Sequence, residues 1–329
     1  MGSRLSGQGL IRLVLVLLIG ATCTAAQLAD VAAFEEHKDS PDIESSGITI
    51  TKRVDEVNLI FTVTDSKGHF VSALPSSAFQ FLDNHQPPRA MGYFHPQTDL
   101  PLRVGLLIDE SDSIRGRFKF EQKAASTFLK KILRPDVDRA FVVGFDGTVN
   151  LAQDMTGNVD QLGKAIHSLK SEGETSLYDA VIFACDKLQQ NRESQVTRRA
   201  IILISDGMDT KSRAILTDAE EAAARADVVI YALSTNNLED NKHPKGDAVM
   251  TLLTEPTGGH ILPAREEGDL KQAFTQVEKA LRSQYAVGYH PADFKPDGSF
   301  RSIEITARKK GLKVQHRKGY FAPVESAGP

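Results

Sequence analysis

The sequence predicts an α/β fold: a doubly wound, mostly parallel sheet, inserted in a small antiparallel β-sandwich-like unit. In the middle of the chain, continuous apolar runs alternate with helical patterns, as expected of buried parallel strands and the helices that cover them. The stretches on either side alternate apolar with polar residues, which is typical of half-buried antiparallel strands. The 329 residues are 41% hydrophobic and 25% charged, a globular composition that excludes a disordered or fibrous chain.

The first residues have the layout of a secretory signal peptide. Arg12 opens the apolar run Leu13–Ile19, and small residues follow as far as Ala26. The run is shorter than the about 20 residues that a membrane span needs, so residues 1–26 are predicted to be cleaved, leaving no transmembrane segment. The protein is therefore predicted to be exported, whether secreted, periplasmic or on the cell surface. Residues 27–46 are predicted to be a flexible linker, because they are mostly polar and show no period.

Residues 47–98 are predicted to form the first part of a β domain. Alternate apolar positions mark its first strand, with Val57, Leu59, Phe61 and Val63 on one face. A turn at Asp65–Gly68 and a short strand around Phe79 and Phe81 follow.

Residues 284–322 return to the same period and are predicted to be the second part of that domain. Asp297–Gly298 and Lys310–Gly311 are expected to close hairpins between its strands. Neither part is large enough to fold comfortably alone, so the two are predicted to pair, leaving residues 323–329 as a tail.

Residues 99–283 are predicted to be the inserted α/β domain. Four apolar runs predict its strands, at 104–108, 141–145, 200–204 and 228–233. Helical patterns lie between and after them, at 119–133, 159–169, 177–188, 217–226 and 269–283. This alternation predicts a sheet with helices on both faces.

Polar side chains follow two of the predicted strands. Asp109, Ser111 and Ser113 come directly after the first, Asp206 comes after the third, and Thr175 opens a helix between them. Ligands of open α/β sheets bind outside the carboxyl ends of the strands, so these side chains are expected to share one edge. Carboxylate and hydroxyl oxygens suit Mg²⁺, with Mn²⁺ or Ca²⁺ possible. The sequence therefore predicts a divalent-metal site here.

The set Asp109-x-Ser111-x-Ser113, Thr175 and Asp206-Gly207 resembles the metal-ion-dependent adhesion site of von Willebrand factor A domains. The resemblance covers residues 99–283. The flanking Val63-Thr-Asp-x-x-Gly68 and Tyr285-Ala-Val-Gly-Tyr289 resemble bacterial secreted proteins described as von Willebrand factor A-related.

This resemblance implies roles for the five residues. Ser111 and Ser113 would bind the metal through their hydroxyls, and Thr175 would bind directly or through water. Asp109 and Asp206 would act mostly through water, leaving one coordination position for an Asp or Glu of a protein partner. The resemblance thus implies an exported, metal-dependent protein-binding or adhesion module, without catalytic activity. The positions between these ligands depart from the commonest pattern, because Glu110 and Asp112 are acidic and are expected to make the rim more negative.

The charge balance argues against nucleic-acid binding. The net charge is −4, and the basic run Arg308–Lys310, with Lys313 nearby, is predicted to be a solvated strand face. Asp209 is predicted to be a turn or cap residue, and Cys185 a buried thiol, because it falls on the apolar face of a predicted helix.

Two alternatives stay open. In the first, Asp109 is the nucleophile of a Mg²⁺-dependent phosphoryl-transfer enzyme, although the expected second carboxylate two residues on is Ser111. In the second, the metal only staples the loops while the β domain binds the partner.

Overall fold

The computed structural model describes residues 55–97, 100–111, 116–171, 173–190, 197–236 and 244–324. The predicted signal peptide, the predicted linker and Ser113 lie outside these ranges. The strands are β1 (Val57–Thr64), β2 (Phe79–Asp83), β3 (Ala90–Gln97), β4 (Leu102–Asp109), β5 (Arg139–Phe145), β6 (Val149–Thr156), β7 (Arg198–Ser205), β8 (Val229–Ser234), β9 (Ile261–Pro263), β10 (Gln284–His290), β11 (Phe300–Ala307), β12 (Lys313–His316) and β13 (Gly319–Phe321). The helices are α1 (Phe118–Ile132), α2 (Val159–Ser168), α3 (Leu177–Gln190), α4 (Leu216–Ala226), α5 (Pro244–Thr254) and α6 (Glu267–Arg282).

The middle of the chain forms a six-stranded sheet in the order β6-β5-β4-β7-β8-β9. All neighbours are parallel except β5 and β6, which are antiparallel. Both faces are buried: along β4, Leu106 and Ile108 belong to one apolar core and Leu107 to another. This is a von Willebrand factor A-like α/β fold, and the predicted fold class is confirmed.

Strands within residues 55–97 and 284–324 form two antiparallel sheets, ordered β12-β1-β10-β3 and β13-β11-β2. One aromatic core joins them. Phe61 of the first sheet stacks on Tyr285 with ring centroids 5.0 Å apart, and Phe79 of the second sheet meets Phe61 edge-on at 5.2 Å. Buried Asp83 accepts hydrogen bonds from the hydroxyls of Tyr289 (2.8 Å) and Tyr320 (3.1 Å).

The α/β segment leaves and re-enters this β region between adjacent strands. Gln97, the last residue of β3, is the direct antiparallel partner of Gln284, the first residue of β10. The boundaries predicted for the domains, 47–98, 99–283 and 284–322, stay predictions.

The two expected hairpins are wrong. Asp297–Gly298 lies between β10 and β11, and Lys310–Gly311 between β11 and β12, but each of these connections joins strands of different sheets. Gly298 and Gly311 do have the positive φ angles of turns, +73° and +83°. Both dipeptides therefore form turns, as their residue types predict. The strands on either side of each turn do not pair with each other, because a turn motif does not specify which sheet the next strand enters.

Candidate metal site

Asp109 ends the central strand β4 and is fully buried. Both carboxylate oxygens are hydrogen-bonded: Ser205 Oγ donates to Oδ2 at 2.7 Å, and the Ser111 N–H donates to Oδ1 at 2.9 Å. Ser111 itself is 5% exposed, and its carbonyl accepts a hydrogen bond from Ser171 Oγ at 2.8 Å. The loop after β4 is thus folded around the Asp109 carboxylate.

Asp206 follows the neighbouring strand β7, so the parallel pairing places it at the same edge as Asp109. Its Oδ1 accepts a hydrogen bond from the Met208 N–H at 3.0 Å. The next residue must be glycine, because Gly207 has a φ of +78° and a Cβ there would collide with the Gly246 carbonyl. The backbone therefore requires glycine at position 207, independently of the ligand role predicted for Asp206.

Thr175 is 4% exposed and precedes α3. Its N–H donates to Thr210 Oγ1 at 2.9 Å, and its carbonyl accepts from the N–H groups of Thr210 and Lys211, each at 2.9 Å. The loop that carries Thr175 is therefore tied to the segment that begins at Asp206. Asp209 lies in that segment and accepts from the Tyr178 N–H at 3.3 Å, which agrees with its predicted capping role.

The site concentrates negative charge in a buried place. Burial raises the pKa of Asp109 to about 6, and the nearby Asp206 carboxylate adds to the rise, while the hydrogen bonds from Ser205 and Ser111 oppose it. A bound cation would favour the ionised form of both carboxylates.

The expectation for Glu110 is wrong. Its side chain does not stand on the rim: the residue is 7% exposed, and its Oε1 accepts a hydrogen bond from the Lys170 N–H at 2.7 Å. Its carboxylate lies against Gly144 of β5, and a side chain at position 144 would collide with this carboxylate. Glu110 follows a buried strand that ends at Asp109, so the loop turns its side chain inward. Asp112, the other acidic residue, lies outside the described ranges.

Three supporting residues were not predicted. Ser205 bonds Asp109 and also accepts from the Gly207 N–H at 2.9 Å, and Ser171 bonds the Ser111 carbonyl. Asn236, after β8, donates from its amide to the Asp206 carbonyl at 2.8 Å. The position of Ser205, directly before Asp206 at a strand end, was the one usable signal in the sequence.

The five predicted ligands are carboxylate and hydroxyl residues, which are the types of oxygen donor that Mg²⁺ and Ca²⁺ take. Within the described ranges no cluster of three or more His, Cys, Asp or Glu side chains is arranged to hold a metal. The Ser205 hydroxyl lies against the Asp109 carboxylate and adds one more oxygen atom at this edge of the sheet. The metal-ligand assignments of Asp109, Ser111, Ser113, Thr175 and Asp206 stay predictions.

Residues 104–208 match the family model of the von Willebrand factor type A domain. The match begins within β4 and ends just after Asp206-Gly207, so it contains all five predicted ligands. No curated protein matches the chain.

Several solved structures resemble parts of the chain. The conserved hypothetical protein BatB from Bacteroides thetaiotaomicron is 16% identical, with a TM-score of 0.45 over 55% of this chain and 100% of that one. The PilB minor pilin from Streptococcus sanguinis is 13% identical (TM-score 0.44, 60% and 63% covered). An aerotolerance-related membrane protein from Bacteroides fragilis is 14% identical (TM-score 0.42, 55% and 98% covered). Identities this low say nothing of binding or activity.

In the described part of the chain, no helix combines the length and the apolar character that crossing a bilayer requires.

Proposed function

We propose that this protein is an exported bacterial module that binds another protein through a divalent metal ion, without catalytic activity. The observation that carries the proposal is the buried Asp109 carboxylate, with Asp206 beside it at the carboxyl edge of the sheet. Two neighbouring carboxylates at a buried edge repel each other, and a cation there would offset the repulsion. The family match over residues 104–208 supports the same site.

The residues present fit Mg²⁺, with Mn²⁺ or Ca²⁺ as substitutes. Ser111, Ser113 and Thr175 would hold the ion through hydroxyls, and Asp109 and Asp206 would act mainly through water. With few direct carboxylates, the ion keeps the electrophilic character needed to attract an Asp or Glu of the partner. Export is part of the proposal and rests on the signal-peptide pattern of residues 1–26.

The phosphoryl-transfer alternative is disfavoured by the surroundings of Asp109. Its two oxygens already accept hydrogen bonds from Ser205 and from the Ser111 N–H, and the residue has no exposed surface. A nucleophilic carboxylate needs one oxygen free to reach the substrate, so this geometry suits a supporting role better.

The metal site is tested by calorimetric titration of Mg²⁺ and Mn²⁺ into residues 27–329. Heat is the practical signal because the chain has no tryptophan. We expect one binding site in the wild type and at least tenfold weaker binding in Asp206→Asn. Asp209→Asn is the matched control: asparagine keeps the oxygen that caps α3, so binding should stay within twofold. Absence of binding to folded wild type would overturn the metal proposal.

The partner role needs a second experiment. A library of acidic peptides is screened on immobilised protein with Mg²⁺, and every hit is repeated with the metal removed and with Asp206→Asn. We expect capture that needs both the metal and Asp206. If Asp206→Asn lowers the melting temperature but leaves peptide capture intact, the metal is only a structural staple and the contacts lie in the β region.

A further inference from the structure

A polar cleft of about 700 Å³ lies between the turn after β1, helix α6 and strand β12. Its lining residues do not include Asp109, Thr175 or Asp206. We call it the basic cleft and define it by six of its lining residues: Lys67, His260, Gln276, Lys279, Lys313 and Gln315. Its size falls in the range of small-molecule sites, about 300–1,000 Å³.

Three lysines from separate segments meet at the basic cleft. Lys67 comes from the turn after β1, Lys279 from α6, and Lys313 from the first position of β12. Across the described residues, none of the three makes an ion pair. Like charges gathered around one concavity repel each other, and an anion bound between them would remove that cost.

The acidic residue in the lining is already engaged. Asp65 Oδ1 accepts the N–H groups of Lys67 (2.8 Å) and His69 (2.9 Å), and Oδ2 lies 3.2 Å from His69 Nδ1. These bonds shape the turn and hold the carboxylate within it. Among the described residues, the ion-pair partner of Asp65 is His69, and no lysine of the basic cleft is paired with it.

His260 is part of the same lining. Its Nδ1 lies 3.5 Å from Gln315 Nε2, and a neutral imidazole has one N–H that can donate. Burial, together with the charge of Lys313, lowers the pKa of His260, which keeps the ring neutral at pH 7. Its edge-to-face contact with Tyr231, at 5.3 Å between centroids, fixes the ring.

We propose that the basic cleft binds a small polyanion, carrying carboxylate or phosphate groups, between Lys67, Lys279 and Lys313. Gln276 and Gln315 supply amide donors, and His260 supplies an N–H. This also gives a role to Lys313 of the basic run, which the metal site leaves unused. The ligand would join α6 of the α/β segment to β12 of the antiparallel region, because its donors come from both.

The probes are citrate and tripolyphosphate, one polycarboxylate and one polyphosphate, titrated by calorimetry at low ionic strength. Both chelate divalent ions, so the buffer is first stripped of metal with a resin. We expect one site for at least one probe, at least tenfold weaker binding in Lys279→Gln and in Lys313→Gln, and binding that weakens with added salt. The probe that binds more tightly identifies the preferred anionic group.

Lys309→Gln is the matched control, since Lys309 is exposed in the same basic run but does not line the cleft. Its binding should stay within twofold of wild type. An equal loss in all three variants, or no binding to folded wild type, would overturn the proposal. The His260 pKa, followed by NMR, should rise when the anion binds. Asp206→Asn should leave anion binding unchanged, which separates this proposal from the metal site.

Discussion

A buried glutamate lies on α1, the first helix after Asp109. Glu121 of α1 is fully buried, and neither carboxylate oxygen has a hydrogen-bond partner among the described residues. Arg117 Nε lies 3.9 Å from Oε1, too far for a hydrogen bond. Burial raises the pKa of Glu121 to about 7, with a small further rise from Asp109 and an opposing effect of Arg117. The folded protein therefore holds this carboxyl group protonated well above its usual range.

Glu121→Gln should remove a pH dependence of stability. An unfolded glutamate ionises near pH 4.5, whereas the folded one keeps its proton until about pH 7, so wild-type stability falls between these values as the pH rises. In metal-free buffer at pH 8 we expect the variant to be about 2 kcal/mol more stable than wild type, and the gain to vanish below pH 4. Urea unfolding across pH measures it. Exposed Glu255→Gln is the control, and an unchanged pH profile in Glu121→Gln would contradict the interpretation.

A substitution at Gly144 tests whether the Glu110 side chain points inward, because the two residues are in contact. A Cβ at Gly144 would collide with the Glu110 carboxylate and with a methyl of Leu169, so Gly144→Ala must displace one of them. We expect a loss of about 2 kcal/mol in unfolding free energy, as for other overpacked sites. Gly147→Ala is the matched control, because the nearest atoms to its Cβ are 3.9 Å away. Equal stability of the two variants would show that Glu110 lies elsewhere.

One carboxylate fastens the end of α6 to the start of β4. Fully buried Asp138 accepts hydrogen bonds from the Leu102 N–H (2.8 Å), from Arg134 Nε (3.0 Å) and from Arg282, the last residue of α6. Burial alone would raise the pKa of Asp138, but these bonds outweigh it and lower the pKa to about 2. We call this group the Asp138 clamp.

Asp138→Asn should loosen the Asp138 clamp. The two arginines lose their charged partner, and we expect a loss of about 3 kcal/mol at pH 7. Because the folded pKa is lowered, the clamp stabilises the protein fully above about pH 4, and this contribution disappears as the pH falls toward 2. Thermal unfolding of both proteins between pH 2 and 7 measures the difference. Asp136→Asn, in the same loop but exposed, should unfold like wild type at every pH.

How far the sequence predicts the elements depends on their burial. The strands β4, β5, β7 and β8 are buried on both faces, so continuous apolar runs mark them clearly. Strand β6 was missed because it is a half-exposed edge with few apolar residues, and β9 because it has three residues. Strand β3 contains Pro96, which masks the strand pattern but is tolerated on an edge.

The order of the motifs along the chain predicts which residues lie at the edge of the sheet, but not where each side chain points. Asp109, Ser111 and Asp206 follow strands, so the sheet edge gathers them. The direction of a loop side chain depends on the backbone path, and this is why the inward turn of Glu110 escaped prediction. The position of Ser205 before Asp206 places it at the same edge of the sheet, but its bond to Asp109 can be predicted only once β4 and β7 are known to be neighbours.

The position of the α/β segment between two paired strands allows the segment to be removed from the chain. Gln97 and Gln284 are paired neighbours in antiparallel strands, so a two-residue Asn-Gly turn can join them directly. We expect the resulting chain, residues 55–97 linked to 284–324, to fold as a β protein and to bind no metal. Circular dichroism and urea unfolding test this, with Phe61→Ala in the shortened chain as a core-deficient control. A shortened chain without a cooperative transition would show that the β region needs the α/β segment to fold.

The pairing of Gln97 with Gln284 also determines how the protein responds to a mechanical force on the α/β segment. A pull on the α/β segment against the rest of the chain loads β3 and β10 at the same end, so their ladder would open one residue pair at a time from Gln97 and Gln284. Peeling of this kind yields at low force, because each hydrogen bond is loaded alone. Arg282 stands just before that point, and its Nη2 donates to the Ile132 carbonyl at 2.8 Å while its Nη1 lies 3.4 Å from the Leu100 carbonyl. Arg282 thus links the connection that leads from β3 into the α/β segment, at Leu100, to the end of α6, which leads back into β10. The two connections therefore resist the pull together before β3 and β10 begin to separate.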